Sequence, residues 1–249
     1  MAVRVLDPTE YEKLEKELET ALPVSLCAYS HFKLLGRGIL TDKTVLVDSW
    51  PDFSAVVIVD STKKKTMTWA ISFCKGSDFC QSLENLLRHS ATLLASPLAI
   101  VGKMKVTGYI IGKVPAGFKL SELKQAHVEN VYNACPHRDR YEQIADLRQW
   151  IRYHIDTLPT VCIETEDGRP VAWEVQHEYG RLGMLNVEPE YRRLKLGSVV
   201  TRTLAQKLVK DGQLVFACVD DKNETSVNFH ENNGYTRMPL MYSVAVYHL

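Results

Sequence analysis

Residues 186–200, NVEPEYRRLKLGSVV, carry the strongest fold signal in the chain, because they join the end of an apolar strand to the start of a helix. Two arginines, a lysine and a glycine lie at that junction. The first N–H groups of a helix have no acceptor within it, and the peptide dipoles add roughly half a positive charge there. The segment therefore predicts an anion site, and three cations suit a ligand with several phosphates. A solvated helix start without a ligand is the alternative interpretation.

The elements around this junction predict a mixed sheet flanked by helices. Helices are expected over residues 121–133, 140–157, 197–211 and 223–233. The predicted strands are TVCIET, PVAWEVQHEY, RLGMLNV, LVFACV and MYSVAVYHL, with a tight turn at Asp167-Gly168. The order α-α-β-β-β-α-β-α-β indicates an α/β (α+β) fold.

The first half of the chain predicts a smaller α/β region. Asp7 and Pro8 predict a helix start, and the leucine spacing carries that helix to about residue 22. VSLCAYSHFKL, TVLVDSW, SAVVIVD and TMTWAISF predict strands, followed by a helix over residues 77–95 and two short strands to about residue 114. VPAGFKLSE, residues 114–122, predicts the boundary between domains at 1–117 and 118–249.

Composition excludes several classes of protein. The 249 residues hold 30 Lys plus Arg and 30 Asp plus Glu, whereas a bulk nucleic-acid binder usually has a basic surplus. No apolar run approaches the ~18–20 residues of a membrane span. The six cysteines form no CxxC pair and no zinc-type spacing with histidine, so neither a metal nor disulfides are expected. Reduced thiols predict a cytoplasmic location, with an organelle matrix, such as the mitochondrial one, as the alternative.

Two segments resemble the signatures of the GNAT acyltransferase superfamily. LNVEPEYRRLKLGSVV resembles its acyl-CoA segment, Gln/Arg-x-x-Gly-x-Gly/Ala, with Arg192 at the first position and Gly197 at the last. Lys195 departs from the pattern, because the family usually has glycine there. NETSVNFHENNGY resembles the second signature through Asn223, Ser226, Phe229, Gly234 and Tyr235.

A closer resemblance, over nearly the whole chain, is to the glycine N-acyltransferase family. VLVDSWPDFSAVVI, TLPTVCIETEDGRPVAWEV and PEYRR carry it. The resemblance implies a GNAT-like, mostly antiparallel sheet flanked by helices in the C-terminal half, with a smaller GNAT-like region packed beside it. It also implies acyl-CoA or acetyl-CoA as co-substrate, with no metal, and a small-molecule amine as acceptor.

The resemblance further implies a set of coenzyme A contacts. Backbone groups of Leu185, Asn186 and Val187 are expected to face the pantetheine arm, which requires strands 181–187 and 214–219 to diverge. Asn223 is expected to contact the pantetheine or to cap its helix. The pyrophosphate and ribose phosphate are expected at Arg192, Arg193, Leu194, Lys195, Leu196, Gly197 and Ser198.

The catalytic groups are less clearly implied. His230 lies where GNAT enzymes commonly place a tyrosine as general acid, and an imidazole can donate a proton near its ordinary pKa of ~6.5. Arg181 lies where glycine-conjugating relatives have a glutamate base, and arginine cannot serve as a base at neutral pH.

Several replacements for that base stay open. Glu178 is the predicted base, with Glu174 and His177 as further candidates. Strand alternation predicts Glu174 and Glu178 on one face and His177 on the other. Arg181 is expected to bind the carboxylate of an amino-acid acceptor, and loss of the amine proton to water is another possibility.

The predicted function is an acyl-CoA-dependent N-acyltransferase that transfers the acyl group by direct attack to glycine or another small amine. One alternative is a GNAT enzyme that uses an arylalkylamine or a protein N-terminus. A non-catalytic acyl-CoA-binding protein is the other.

Overall fold

The computed structural model describes residues 3–61, 71–75, 81–83, 85–86, 89, 104–106, 114–136, 138–139, 146–220 and 222–237. These residues form two compact units, one up to position 89 and the other from position 104. The boundary between domains 1–117 and 118–249 stays a prediction. Among the described helices, none combines the length and the apolar content that a membrane span requires.

The first unit contains an antiparallel sheet and two helices whose first and last residues both lie among the described residues. Its strands follow the order β1-β2-β3-β4, and every residue of β3 is buried. Leu14 and Leu18, four residues apart, are fully buried on the first helix, as the leucine spacing predicted. The elements are β1 Arg4–Val5, α1 Tyr11–Thr20, α2 Leu26–Gly36, β2 Lys43–Val47, β3 Ala55–Asp60 and β4 Ile71–Cys74.

The prediction of a strand at VSLCAYSHFKL was wrong, because residues 26–36 form helix α2. Eight of its residues are buried, including Ser30 and His31. A helix buried on most sides has no polar stripe, so its sequence lacks the helical period and resembles a buried strand. Positions 81–83, 85, 86 and 89 are helical within the helix predicted at 77–95, and the rest of that prediction lies outside the described residues.

The second unit contains the five-stranded sheet β10-β9-β8-β7-β6, antiparallel except for the pair β10–β9. A separate antiparallel pair joins β5 and β11. The mixed, mostly antiparallel sheet with helices is thereby confirmed. The elements are β5 Met104–Val106, β6 Phe118–Ser121, α3 Val128–Ala134, α4 Leu147–Thr157, β7 Thr160–Thr165, β8 Pro170–Gln176, β9 Arg181–Val187, α5 Leu196–Lys210, β10 Phe216–Ala217, α6 Glu224–Asn232 and β11 Tyr235–Arg237.

One helix of this unit was predicted too long. The first residue of the helix predicted over 121–133, Ser121, ends edge strand β6, which pairs with β7, and the α-helix begins only at Val128. The final strand predicted at MYSVAVYHL lies outside the described residues, as do residues 140–145 of the second predicted helix.

Helix α5 and the sheet enclose the main core of this unit. Val199, Leu204 and Leu208 of the helix pack with Ile163 of β7 and Ala172 of β8. Side chains alternate along a strand, so Glu174 and Gln176 follow Ala172 onto the α5 face. The opposite face receives α4, whose Trp150 ring lies 5.2 Å from the His177 ring, centroid to centroid.

Candidate active site

Strand β9 has an open edge over most of its length. Strand β10 pairs with it only at Arg181 and Leu182, and within the described part of the chain no strand continues this ladder to residues 183–187. These five residues are partly exposed. The two strands therefore diverge after Leu182, which leaves backbone groups available to a ligand.

A bulge marks the start of this open edge. Gly183 pairs with Val175 and Asn186 pairs with Trp173, so Met184 and Leu185 together oppose the single residue Glu174. Met184 has a φ of 54°, in the left-handed region. Bulges re-aim a strand and are frequent beside active sites.

The turn before α5 has the backbone shape of an anion site. Arg193 and Lys195 have φ values of 67° and 60°, and both are exposed. Left-handed residues in a turn direct successive N–H groups to one side, which creates a concavity for an anion. The first-turn N–H groups at positions 196–198 have no backbone acceptor within the described residues. Lys195, at the family's glycine position, thus keeps a backbone conformation that glycine favours.

Arg192 links this turn to the open strand. Its Nε donates a hydrogen bond of 3.1 Å to the carbonyl oxygen of Val187, the last residue of β9. Arg192 is exposed. Its guanidinium therefore joins the cationic turn to the end of the open edge.

Gly197 allows close packing at the helix start. A Cβ at this position would lie 3.3 Å from Val187 Cγ2 and 3.4 Å from Phe229 Cε2. Such distances are tight, so a residue with a Cβ here would require the side chain of Val187 or Phe229 to shift slightly. The predicted sites at 185–187 and 192–198 are thus contiguous.

Helix α6 contributes Asn223 and His230. Asn223 is its N-cap, with Oδ1 accepting a 3.1 Å hydrogen bond from the N–H of Ser226. His230 is 6% exposed, and its Nδ1 lies 2.7 Å from the Ser226 carbonyl oxygen, which can only accept. In the neutral ring the proton is therefore on Nδ1. Burial lowers the pKa of His230, and the bond to Ser226 acts in the opposite direction.

An imidazole and a guanidinium meet at Gly183. A Cβ there would lie 2.6 Å from His177 Nε2 and 3.5 Å from Arg181 Nε. His177 is 2% exposed, and neither of its ring nitrogens has a hydrogen-bond partner within the described residues. Burial, then the charges of Arg181 and His154, hold the pKa of His177 well below 6.5. Gly183 was missed in the sequence, although a glycine inside a strand pattern signals a bulge or a close approach.

The two acidic candidates lie in different places. Glu174 is 1% exposed beneath α5, and burial raises its pKa to about 8, while the Thr201 hydroxyl acts in the opposite direction. Strand β8 ends at Gln176, and residues 177–180 form a turn in which Gly180 N–H donates to the His177 carbonyl at 2.8 Å. The predicted alternation therefore does not extend to Glu178, which is buried in that turn.

Three potential metal ligands lie together elsewhere in this unit. His127, Cys162 and Glu164 are buried with ligand atoms within 4.8 Å of one another. Glu164 already has a cationic partner, because Lys124 Nζ lies 2.5 Å from its Oε1. Burial raises the pKa of the Cys162 thiol to about 12.

Two family models match the chain. The model described as aralkyl acyl-CoA:amino acid N-acyltransferase matches residues 3–90. The model described as FR47-like protein matches residues 162–243, which include β9, the cationic turn and both helices of the site.

Among curated proteins, the chain is similar to several glycine N-acyltransferases. The human enzyme is 28% identical, over 86% of this chain and 88% of its own. The Pongo abelii enzyme is also 28% identical, over 85% and 87%. The bovine enzyme is 23% identical, over 92% and 93%.

Two solved structures share the fold over nearly the full length. A Drosophila protein matches with a TM-score of 0.75 at 15% identity, over 95% of each chain. A GCN5-related N-acetyltransferase from Sphaerobacter thermophilus matches with a TM-score of 0.50 at 12% identity, over 94% of this chain and 91% of its own.

Proposed function

Because this chain is a member of the glycine N-acyltransferase family, within the GNAT superfamily, we propose that it transfers an acyl group from a coenzyme A thioester to the amine of glycine or another small amine. The observation that carries the proposal is the continuous surface formed by the open edge of β9 and the cationic turn, which the hydrogen bond from Arg192 to Val187 joins. A long ligand with an extended arm and several phosphates fits such a surface.

Each part of the surface suits one part of acyl-CoA. The N–H groups at the start of α5 and the charges of Arg192, Arg193 and Lys195 suit the phosphates. The open backbone at Leu185, Asn186 and Val187 suits the amides of the pantetheine arm, which can add to a strand edge as a peptide does. Asn223 caps α6 and lies in the second signature, so a contact with the pantetheine is compatible with its cap.

His230 is the proposed source of the proton for the leaving thiolate. With Nδ1 directed to the Ser226 carbonyl, proton donation falls to Nε2 of the protonated ring. Burial lowers the pKa of the ring, so the protonated form becomes more abundant as the pH falls. We expect His230→Phe to lower kcat and to leave acyl-CoA binding unchanged.

Arg181 is the proposed anchor for the acceptor. It is half-buried, with its guanidinium carbon 5.3 Å from the centre of the Tyr179 ring. A guanidinium binds a carboxylate through two parallel hydrogen bonds, which favours an amino acid over a simple amine.

A non-catalytic acyl-CoA-binding protein is the second candidate, and Arg181 at the position of the family glutamate favours it. A thiol-release assay with acetyl-CoA or benzoyl-CoA separates the two. Release that depends on glycine supports the transferase. Release only with arylalkylamines or peptide N-termini indicates that the acceptor is one of those compounds. Coenzyme A binding without release with any of these acceptors contradicts the transferase.

We also propose a cytoplasmic location. The cysteines that the structure describes hold thiols rather than disulfide bonds, which suits a reducing compartment, whether cytosol or mitochondrial matrix. Fractionation of cells that express the full chain distinguishes these two locations.

A further inference from the structure

The turn between β8 and β9 places an imidazole against the open edge of the sheet. The turn returns the chain on itself, since His177 N–H donates to the Arg181 carbonyl at 2.8 Å. The ring lies over Gly183, with Nε2 2.6 Å from the point where a Cβ would stand. Gly183 is partly exposed and begins the edge that β10 leaves unpaired. No side chain of residue 183 therefore stands between that edge and the His177 ring.

A buried imidazole without partners needs an explanation. Buried polar atoms are nearly always hydrogen-bonded, and a buried unpartnered one costs about 1–3 kcal/mol. Both ring nitrogens of His177 lack a partner among the described residues. The nearby rings of Trp150, His154 and Tyr179, with centroids 5.2–5.6 Å away, hold the imidazole in place. The ring is thus held in place, and its two buried nitrogens keep unused hydrogen-bonding capacity.

The acidic candidates do not share this position. Glu174 pairs with Val161, which belongs to the α5 core, so its side chain is on the other face of the sheet. The three atoms nearest to the Cβ position of Gly183 are Nε2 and Cδ2 of His177 and Nε of Arg181, and none comes from Glu178.

We propose that His177 is the general base that accepts the proton of the attacking amine, and that it forms the acceptor subsite at Gly183 together with Arg181. The inference rests on the proposed acyl transfer. A glycine-sized amino acid can reach both groups at once, with its carboxylate on the guanidinium and its amine on Nε2.

The proton transfers balance in this arrangement. The acceptor ammonium gives one proton to Nε2 of His177, and the nitrogen lone pair forms a C–N bond with the thioester carbonyl carbon. The C–S bond breaks, the nitrogen loses its second proton, and the thiolate takes up one proton. The products are an amide, free coenzyme A and one proton that passes to solvent.

The charges around the His177 ring make its basicity depend on whether an acceptor is bound. The groups that face it are Arg181 and Tyr179 of the turn and His154 of α4. The positive charge of Arg181 lowers the pKa of His177. A carboxylate bound to Arg181 offsets that charge, so the ring becomes a stronger base when an amino acid is present. An amine without a carboxylate is therefore expected to react more slowly.

The test compares kcat and KM for glycine in the full chain and in four variants. His177→Gln is expected to lower kcat about 100-fold, with coenzyme A affinity unchanged by calorimetry. Glu178→Gln tests the rival base, and His127→Gln controls for the loss of a buried imidazole outside this cluster of rings. Added imidazole is expected to restore part of the rate of His177→Ala.

Each outcome either supports or overturns the assignment of His177 as the base. Near-normal turnover in His177→Gln, an equal loss in His127→Gln, or a loss confined to Glu178→Gln overturns the inference and leaves the transferase intact. Absence of turnover in the unaltered chain overturns both. If the His177 variants do not fold, Gly183→Ala serves instead, because its Cβ must displace the ring and is expected to lower kcat roughly 10- to 100-fold. An unchanged rate in that variant also overturns the inference.

Discussion

Lys195 illustrates how one residue can keep a backbone shape that its type disfavours. Its φ of 60° lies in the left-handed region, which costs a residue with a Cβ roughly 1–2 kcal/mol. Glycine avoids that cost, which explains its use at this position in the family pattern. Lysine retains the open N–H groups and adds a positive charge beside the proposed phosphate site. The chain thus exchanges stability for charge at this residue.

We expect Lys195→Gly to be more stable than Lys195→Ala by about 1 kcal/mol, because both lose the charge and only alanine keeps the strained Cβ. The free energy of unfolding in urea measures the difference. Equal stability of the two variants would show that the turn relaxes and that no strain is stored at residue 195. Their coenzyme A affinities, compared at one salt concentration, report how closely the phosphates approach the backbone.

At the scale of the element, helix α6 depends on its N-cap. Asn223 Oδ1 accepts from the N–H of Ser226, and the helix is only nine residues long, so this bond closes a large part of its first turn. Short helices gain little from propensity alone and need caps and packing. The same helix carries His230, whose Nδ1 bond to Ser226 lies one turn further along.

Replacing Asn223 with alanine is expected to reduce the free energy of unfolding by about 1 kcal/mol, since one orphan N–H group loses its acceptor. Asn223→Asp keeps an oxygen at the same place and is the matched control. Thermal and urea unfolding measure both. Weaker coenzyme A binding by the stable Asp variant would indicate that the amide also contacts the ligand, whereas no stability loss in the Ala variant would contradict the cap.

At the scale of the molecule, a buried acid makes stability depend on pH. Glu174 is buried under α5, which raises its pKa to about 8 from an ordinary value of 4.5. The unfolded chain ionises this carboxyl above about pH 4.5, and the folded chain does so only near pH 8. Between these values ionisation favours the unfolded state, so this contribution to stability is complete at low pH and falls as the pH rises.

Glu174→Gln removes this dependence. Relative to the unaltered chain, the variant is expected to gain up to about 1.4 kcal/mol in free energy of unfolding per pH unit across that window. Urea unfolding at several pH values measures the gain. The control is Glu166→Gln, an exposed residue in a turn, which should follow the unaltered chain. Parallel curves for all three proteins would show that Glu174 ionises normally in the fold.

Local signals in the sequence were sufficient to predict the elements that form the proposed coenzyme A surface. The strand at residues 181–187, the helix from Leu196 and the cap at Asn223 all follow from apolar spacing and from residues a few positions apart. Such preferences act over one turn or one strand. These elements can therefore be predicted without knowledge of the fold.

Contacts between distant segments determined the features that local sequence patterns do not predict. Helix α2 is buried at eight of its eleven residues, and that burial removed the periodic pattern by which a helix is recognised. The imidazole of His177 meets Gly183 because a turn brings β9 back beside β8, and the pKa of Glu174 is raised because α5 covers the carboxyl group. Burial, and the pKa values that follow from it, are set by residues far apart in the chain, since water is excluded only once the segments pack together.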